Sequence, residues 1–240
     1  MLSKSQFKLI KSLGHKKYRQ RQNLFVAEGK KVIQEFLDEG LSLHLLCTVS
    51  EFFGPSVSQR ILVSEAELQK ISFLTTPQTA LALFEIPQAL PPTDTGLQVV
   101  LDQVRDPGTL GTIIRLCDWF GVTDLICSPD TVDCYNPKVV QASMGSLARV
   151  QVHYLDLVEF LTKQSRPVFG TFLDGADIYQ EALPSDGLLI MGNEANGINP
   201  STQACITRRL TIPQFGAIRE TESLNVATAT AIALSEFRRR

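Results

Sequence analysis

After residue 96 the chain alternates between short apolar runs and stretches of helical periodicity, and this constrains its fold more than any other feature. The runs at 98–104, 122–127, 150–154, 167–173, 187–191 and 209–213 have the length and composition of strands. Residues 106–120, 136–148, 155–163 and 222–237 place apolar side chains three and four apart, on one helix face. Strands joined through helices pair in parallel, and the helices then cover both faces of the sheet. An α/β domain with a mostly parallel sheet is therefore expected over 97–240.

Residues 87–96 (PQALPPTDTG) contain three prolines and a glycine, which no helix or central strand continues through. They read as a linker. Before it, 24–27, 41–49, 61–63 and 79–85 read as strands. Residues 28–39 read as a helix closed by Gly40, and Ser64 to Glu67 form a capping-box pattern. Residues 1–86 are thus expected to be a small mixed α/β domain behind a basic helical arm.

Charge is unevenly spread. Residues 1–31 hold nine Lys/Arg and one acid, a net +8; the whole chain carries −2, so the remainder carries −10. A basic arm on an acidic body suits a polyanionic partner such as RNA or DNA. No stretch approaches about 18 apolar residues, so no membrane span is expected. The N-terminus lacks the apolar core of a secretory signal. The five cysteines are scattered, with no C-x-x-C pair, which argues against a disulfide framework and a zinc site and for a reducing cytoplasm. His15, His44 and His153 are widely spaced and receive no role.

Three segments carry candidate chemistry. In 101–115 (LDQVRDPGTLGTIIR), Asp106 caps a helix with Pro107 in its first turn. Leu110, Ile113, Ile114 and Cys117 form its buried stripe, so Thr112, Arg115 and Trp119 face away from the sheet. No G-x-G-x-x-G follows a strand, which excludes a dinucleotide fingerprint. In 188–198 (LLIMGNEANGI), an apolar strand ends in a Gly/Asn-rich turn, and the carboxyl end of a parallel strand is where ligands bind. The third pairs 210–216 (LTIPQFG) with 222–231 (ESLNVATATA), a helix capped by Ser223 or Thr221.

In this order and spacing, the three segments resemble the three motifs of the SpoU/TrmH family of RNA 2′-O-ribose methyltransferases. Residues 136–145 (NPKVVQASMG) resemble the family's segment between motifs one and two. Residues 19–29 (RQRQNLFVAEG) resemble the start of its N-terminal substrate-binding domain. The resemblance covers nearly the whole chain. It implies a SPOUT-type α/β knot after the linker, a homodimer and S-adenosylmethionine as cofactor. By match, the cofactor is held by Thr171, Phe172, Leu173, Met191, Gly192, Asn193, Glu194, Gly197, Ile212, Gln214, Ser223, Leu224 and Asn225. Arg115, Glu194, Ser223 and Asn225 would be catalytic. The resemblance implies that Arg115 acts on the 2′-hydroxyl; since a guanidinium stays protonated, a clamp on the adjacent phosphate, with that phosphate or Glu194 taking the proton, is the equal alternative. Lys16, Lys17, Arg19, Arg21 and Lys138 would contact RNA, ribosomal RNA before transfer RNA.

Three positions depart from the family pattern. Thr109 stands where motif one usually has asparagine, Ala227 where motif three often has serine, and Gln141 where a basic residue is common. The first two leave open a different reading, an RNA-binding protein that keeps the knot without methyl transfer. Methylation of a base rather than a ribose is a third.

Overall fold

The computed structural model describes residues 2–51, 53, 59–216 and 223–239. The molecule divides into two compact units, Met1–Gln88 with Asp133–Arg149, and Ala89–Val132 with Val150–Arg240.

In the first unit the basic arm is two helices, α1 (Lys4–Ser12) and α2 (Lys16–Gln22). Ser3 and Gln6 cap α1 reciprocally. The strands β1 (Leu24–Glu28), β2 (Leu43–Thr48), β3 (Arg60–Leu62) and β4 (Ala80–Glu85) form a mixed sheet in the order β1-β4-β2-β3. Between them lie α3 (Lys30–Asp38) and α4 (Glu65–Ile71). The Ser64/Glu67 capping box forms as the sequence predicts, with both reciprocal bonds present. One side of the core is aromatic: Phe25, Phe36 and Phe84 are fully buried, with ring centroids 5.4–5.8 Å apart. Each such ring contributes about 1.5–3 kcal/mol by leaving water. Glu28, also buried, accepts hydrogen bonds from Ser72 Oγ (2.6 Å) and the Phe73 amide (2.8 Å) at the end of α4. Burial pushes its carboxyl above the usual range.

The second unit is built on a six-stranded parallel sheet in the order β10-β8-β9-β5-β6-β7. In chain order it comprises β5 (Leu97–Leu101), α5 (Pro107–Trp119), β6 (Asp124–Cys127), β7 (Gln151–Tyr154), α7 (Leu157–Thr162), β8 (Val168–Asp177), β9 (Gly187–Met191), α8 (Pro200–Gln203), β10 (Arg208–Thr211) and α9 (Val226–Arg238). Strands β5, β6 and β9 are buried at every position, as apolar runs in a covered parallel sheet should be. The stripe Leu110, Ile113, Ile114 and Cys117 is wholly buried, while Thr112, Arg115 and Trp119 are exposed, as the helical spacing requires.

Several elements differ from the sequence reading. Strand β8 runs to Asp177 rather than 173, because its second half pairs with β10 after a register shift at Arg209/Leu210. Helix α9 begins at Val226, not 222. Its cap is Asn225, whose side chain accepts from the amides of Ala227 and Thr228, not Ser223; Thr221 and Glu222 lie outside the described residues. The helix expected over 136–148 is shorter: α6 (Pro137–Ser143), then a 3₁₀ turn at Ser146–Ala148. Met144 and Gly145, at φ 52° and 95°, break it. A Cβ at Gly145 would lie 2.7 Å from Cβ of Glu35, so only glycine fits.

The sequence alternation assigned 136–148 to the second domain, yet 133–149 packs within the first unit. Asp133 pairs with Arg19, Tyr135 lies 4.9 Å from Phe25, and Arg149 reaches Glu35 and Glu39, each at 3.0 Å. No periodicity records this, because the partners are more than 100 residues away.

Candidate active site

Three neighbouring parallel strands carry the expected cofactor segments. Gly170 on β8 sits opposite Ile190 on β9 and Arg209 on β10. Thr171 then lies beside Met191, with Oγ1 3.6 Å from its sulfur, while β10 shifts register so that Leu210 pairs with Ala176 and Thr211 with Asp177; 171–173 lie on β8, and 191–197 and 212–216 lie at or just past the ends of its two neighbours. Thr171 Oγ1 reaches the Ile190 carbonyl (3.4 Å), and Thr211 Oγ1 donates to the Leu173 carbonyl (3.2 Å). Phe172 lies beneath the Arg209 guanidinium, 3.5 Å from the ring centroid. Leu173, Phe215 and Leu224 leave apolar surface in water, at 77%, 84% and 46% exposure. Ile212 is half-buried and Gln214 exposed.

The turn after β9 is built almost wholly from its own residues. Asn193 and Gly197 exchange backbone hydrogen bonds, both 2.9 Å. The Asn193 side chain accepts from the amides of Ala195 (2.9 Å) and Asn196 (3.1 Å). Its Nδ2 donates to the carbonyl of Gln103 (2.7 Å). A Cβ at Gly192 would fall 2.4 Å from the carbonyl carbon of Gly197, so glycine is obligatory there. The turn holds Glu194 exposed at its tip. Asn193, an expected cofactor contact, thus spends its side chain and its main-chain N–H on the turn itself.

Two residues that the sequence did not single out hold this arrangement. Gln103 has φ 61°, left-handed for a residue with a side chain, and its amide donates to Ser128 Oγ (2.9 Å). Asp102 is buried and accepts from the Asn199 amide (2.8 Å). A polar pair closing an apolar strand was the available signal.

Motifs one and three meet elsewhere. The N-terminal halves of α5 and α9 border a cavity of about 460 Å³, lined by Gly108, Thr109, Thr112, Leu116, Asn225, Ala227, Thr228 and Ala231. Both motif departures, Thr109 and Ala227, therefore face the same space. Thr109 Oγ1 donates to the capping Asp106 (3.0 Å). Arg115 is exposed on α5 and makes no hydrogen bond or ion pair among the described residues. No hydrogen bond or ion pair joins Arg115, Glu194, Ser223 and Asn225 to one another; Ser223 and Asn225 are exposed.

All five expected RNA contacts lie in the first unit. Lys16, Lys17, Arg21 and Lys138 are exposed. Arg19 is a correction. It is 2% exposed; its Nε donates to Asp133 (3.0 Å) and its NH1 to the Leu13 carbonyl (2.8 Å). Burial, with Nε and both terminal nitrogens already engaged by Asp133 and the Leu13 carbonyl, withholds this guanidinium from a phosphate. Among the described residues, no cluster of His, Cys, Asp and Glu could hold a metal ion, and no helix is long and apolar enough to cross a membrane.

Comparison with known proteins adds to this geometry. The SpoU rRNA Methylase family model matches residues 96–235, and an MRM3-like substrate binding domain matches residues 4–82. A 23S rRNA guanosine 2′-O-methyltransferase of Bacillus subtilis is 30% identical over 95% of this chain and 94% of its own length. Among solved structures, a protein described as an RNA methyltransferase of the TrmH family from Porphyromonas gingivalis is 42% identical. It covers 100% of this chain and 99% of its own, with a TM-score of 0.91. An AdoMet-bound rRNA methyltransferase from Sinorhizobium meliloti is 30% identical, covers 100% of this chain and 97% of its own, and has a TM-score of 0.86.

Proposed function

The chain belongs to the SpoU rRNA methylase family, and on that premise we propose that it transfers a methyl group from S-adenosylmethionine to a ribose 2′-hydroxyl of ribosomal RNA. The observation that carries the reading is that 171–173, 191–197 and 212–216 lie on or directly after three neighbouring parallel strands, β8, β9 and β10. This edge offers backbone groups and exposed apolar side chains, the chemistry an adenosine and an amino-acid tail need. Thr171, Phe172, Leu173, Met191, Gly192, Gly197, Ile212, Gln214 and Leu224 would line it together with Asn193, whose own bonds set the shape of the turn.

The bound cofactor supplies a methyl group on a sulfonium, already a good leaving group. The protein's residues must align the attacking hydroxyl and accept its proton. Arg115 is a cation on the outer face of α5 without a partner among the described residues, suited to clamp a phosphate beside the reacting ribose. Glu194 is exposed at the tip of a rigid turn, a carboxylate available for the proton. Ser223 and Asn225 orient the reacting groups from the third motif, Asn225 already fixed as the cap of α9.

The proposal includes a homodimer, a knotted C-terminal chain and a cytoplasmic location. The outer face of α5 supports the dimer: Trp119 is 83% exposed, on the helix that borders the small-residue cavity. Thr109 and Ala227 remain compatible with turnover. Each sits beside Asn225 without disturbing its capping bonds, and the comparisons lend no support to a pseudoenzyme.

The test is transfer of labelled methyl from S-adenosylmethionine to RNA lacking the native modification, followed by nucleoside mass spectrometry. A ribose-methylated nucleoside with the wild type, absent with Arg115→Ala, is the expected result. A base-methylated nucleoside, or cofactor binding without any transfer, overturns the reading.

A further inference from the structure

The exposed edge of α2 carries a feature that phosphate contacts do not explain. Burial of Arg19 fixes which way the helix faces. At 100° per residue, Lys17 and Arg21 then point outward, and His15, Tyr18 and Arg21 follow one another along one edge. Tyr18 is 39% exposed, and its ring meets that of His15 edge-on at 6.3 Å. Its hydroxyl makes no hydrogen bond within the described residues. The helix beneath is rigidly held, since Arg19 is tied to Asp133 and to the Leu13 carbonyl.

We propose that Tyr18, between His15 and Arg21, is a stacking platform for an unpaired RNA base. This rests on the reading of the chain as an RNA methyltransferase and adds what its first unit recognises. An aromatic face presented on a fixed helix beside cations is how proteins hold single-stranded nucleic acid: the ring takes the base while Lys17 and Arg21 take flanking phosphates. The surplus of eight positive charges in residues 1–31 supplies the complementarity. Stacking tolerates any base, so the platform selects unpaired over duplex RNA rather than a sequence.

The two kinds of contact separate by salt dependence. A phosphate contact changes the slope of log affinity against log salt by about 0.7 on a single strand, whereas a stack changes affinity without changing slope. The experiment titrates the full chain with a short oligouridylate and with a duplex of the same length, over a range of salt. Tyr18→Leu, which keeps the bulk and loses the π face, is expected to weaken single-strand binding roughly tenfold. The slope and duplex affinity stay unchanged, and Tyr18→Phe restores binding. Lys17→Ala lowers the slope. Unchanged single-strand affinity in Tyr18→Leu, or equal losses on both probes, overturns the platform. If Tyr18→Leu and Lys17→Ala are both without effect, RNA binding by this arm falls with it; a slope change in Lys17→Ala alone leaves the arm standing and removes only the platform.

Discussion

The turn at 192–197 and the outer face of α5 lie in the same unit and both carry family motifs, yet they are built oppositely. In the turn nearly every polar group is used locally: Asn193 alone makes three side-chain hydrogen bonds. On α5, Arg115 has no partner among the described residues and Trp119 is largely in water. The contrast separates residues that build a site from residues free to act on a ligand. The first unit repeats it on a single helix, where Arg19 is buried and paired while Lys17 and Arg21 are exposed.

If that division holds, builders should cost stability and actors should cost activity. The largest effect is expected at Arg19→Ala, which strands the buried Asp133 carboxylate and should lower stability by about 3–5 kcal/mol in urea unfolding. A stable Arg19→Ala chain with weakened RNA binding would break the comparison. Arg115→Ala should reduce methyl transfer by about 100-fold or more, with stability within about 0.5 kcal/mol of wild type. A matching fall in melting temperature would show Arg115 to be a builder after all. Trp119→Ser should weaken a dimer by about 2 kcal/mol, read as a concentration-dependent shift in sedimentation. An unchanged association constant would remove the outer face of α5 from the interface.

Asn193→Ala should cost about 1–2 kcal/mol of stability and raise KM for the cofactor more than it lowers kcat. Gln103→Gly should preserve both quantities, because Gln103 takes part through its carbonyl and glycine adopts positive φ freely. The smallest effect concerns pH. Burial raises the Asp124 carboxyl, but hydrogen bonds from Thr93 (2.8 Å), His153 (2.7 Å) and Thr123 (3.1 Å) outweigh it and hold the group below the usual range. A depressed carboxylate adds stability that is present above its unfolded pKa, about 4, and is lost as pH falls through the folded value. Asp124→Asn should therefore flatten the acid limb of the stability curve. An unaltered limb would leave the Asp124 bonds without energetic weight.

The residues explain why some of this was legible in advance. The stripe on α5 was readable because burial follows helical period within one element. The Asp106 cap and the Ser64/Glu67 box were readable because their partners lie within three residues. The start of α9 was misplaced because Thr221, Ser223 and Asn225 can all cap, and nothing local chooses between them. Arg19 and Lys17 look alike in sequence; the carboxylate that distinguishes them is 114 residues away. A motif match at Asn193 records that the residue is needed, not that its side chain and main-chain N–H are spent on the turn itself.

The sequence by itself determined what depends on neighbours along the chain: the strand–helix alternation, the parallel sheet, the outward face of α5 and, through its motifs, the family. Only the tertiary structure decided which charges are spent internally. It also placed 133–149 in the first unit, and it brought Thr109 and Ala227 to one cavity. The physical reason is the same throughout. Secondary structure follows from periodicity and capping over a few residues, whereas burial of a charge or the meeting of two motifs depends on segments that only folding brings together.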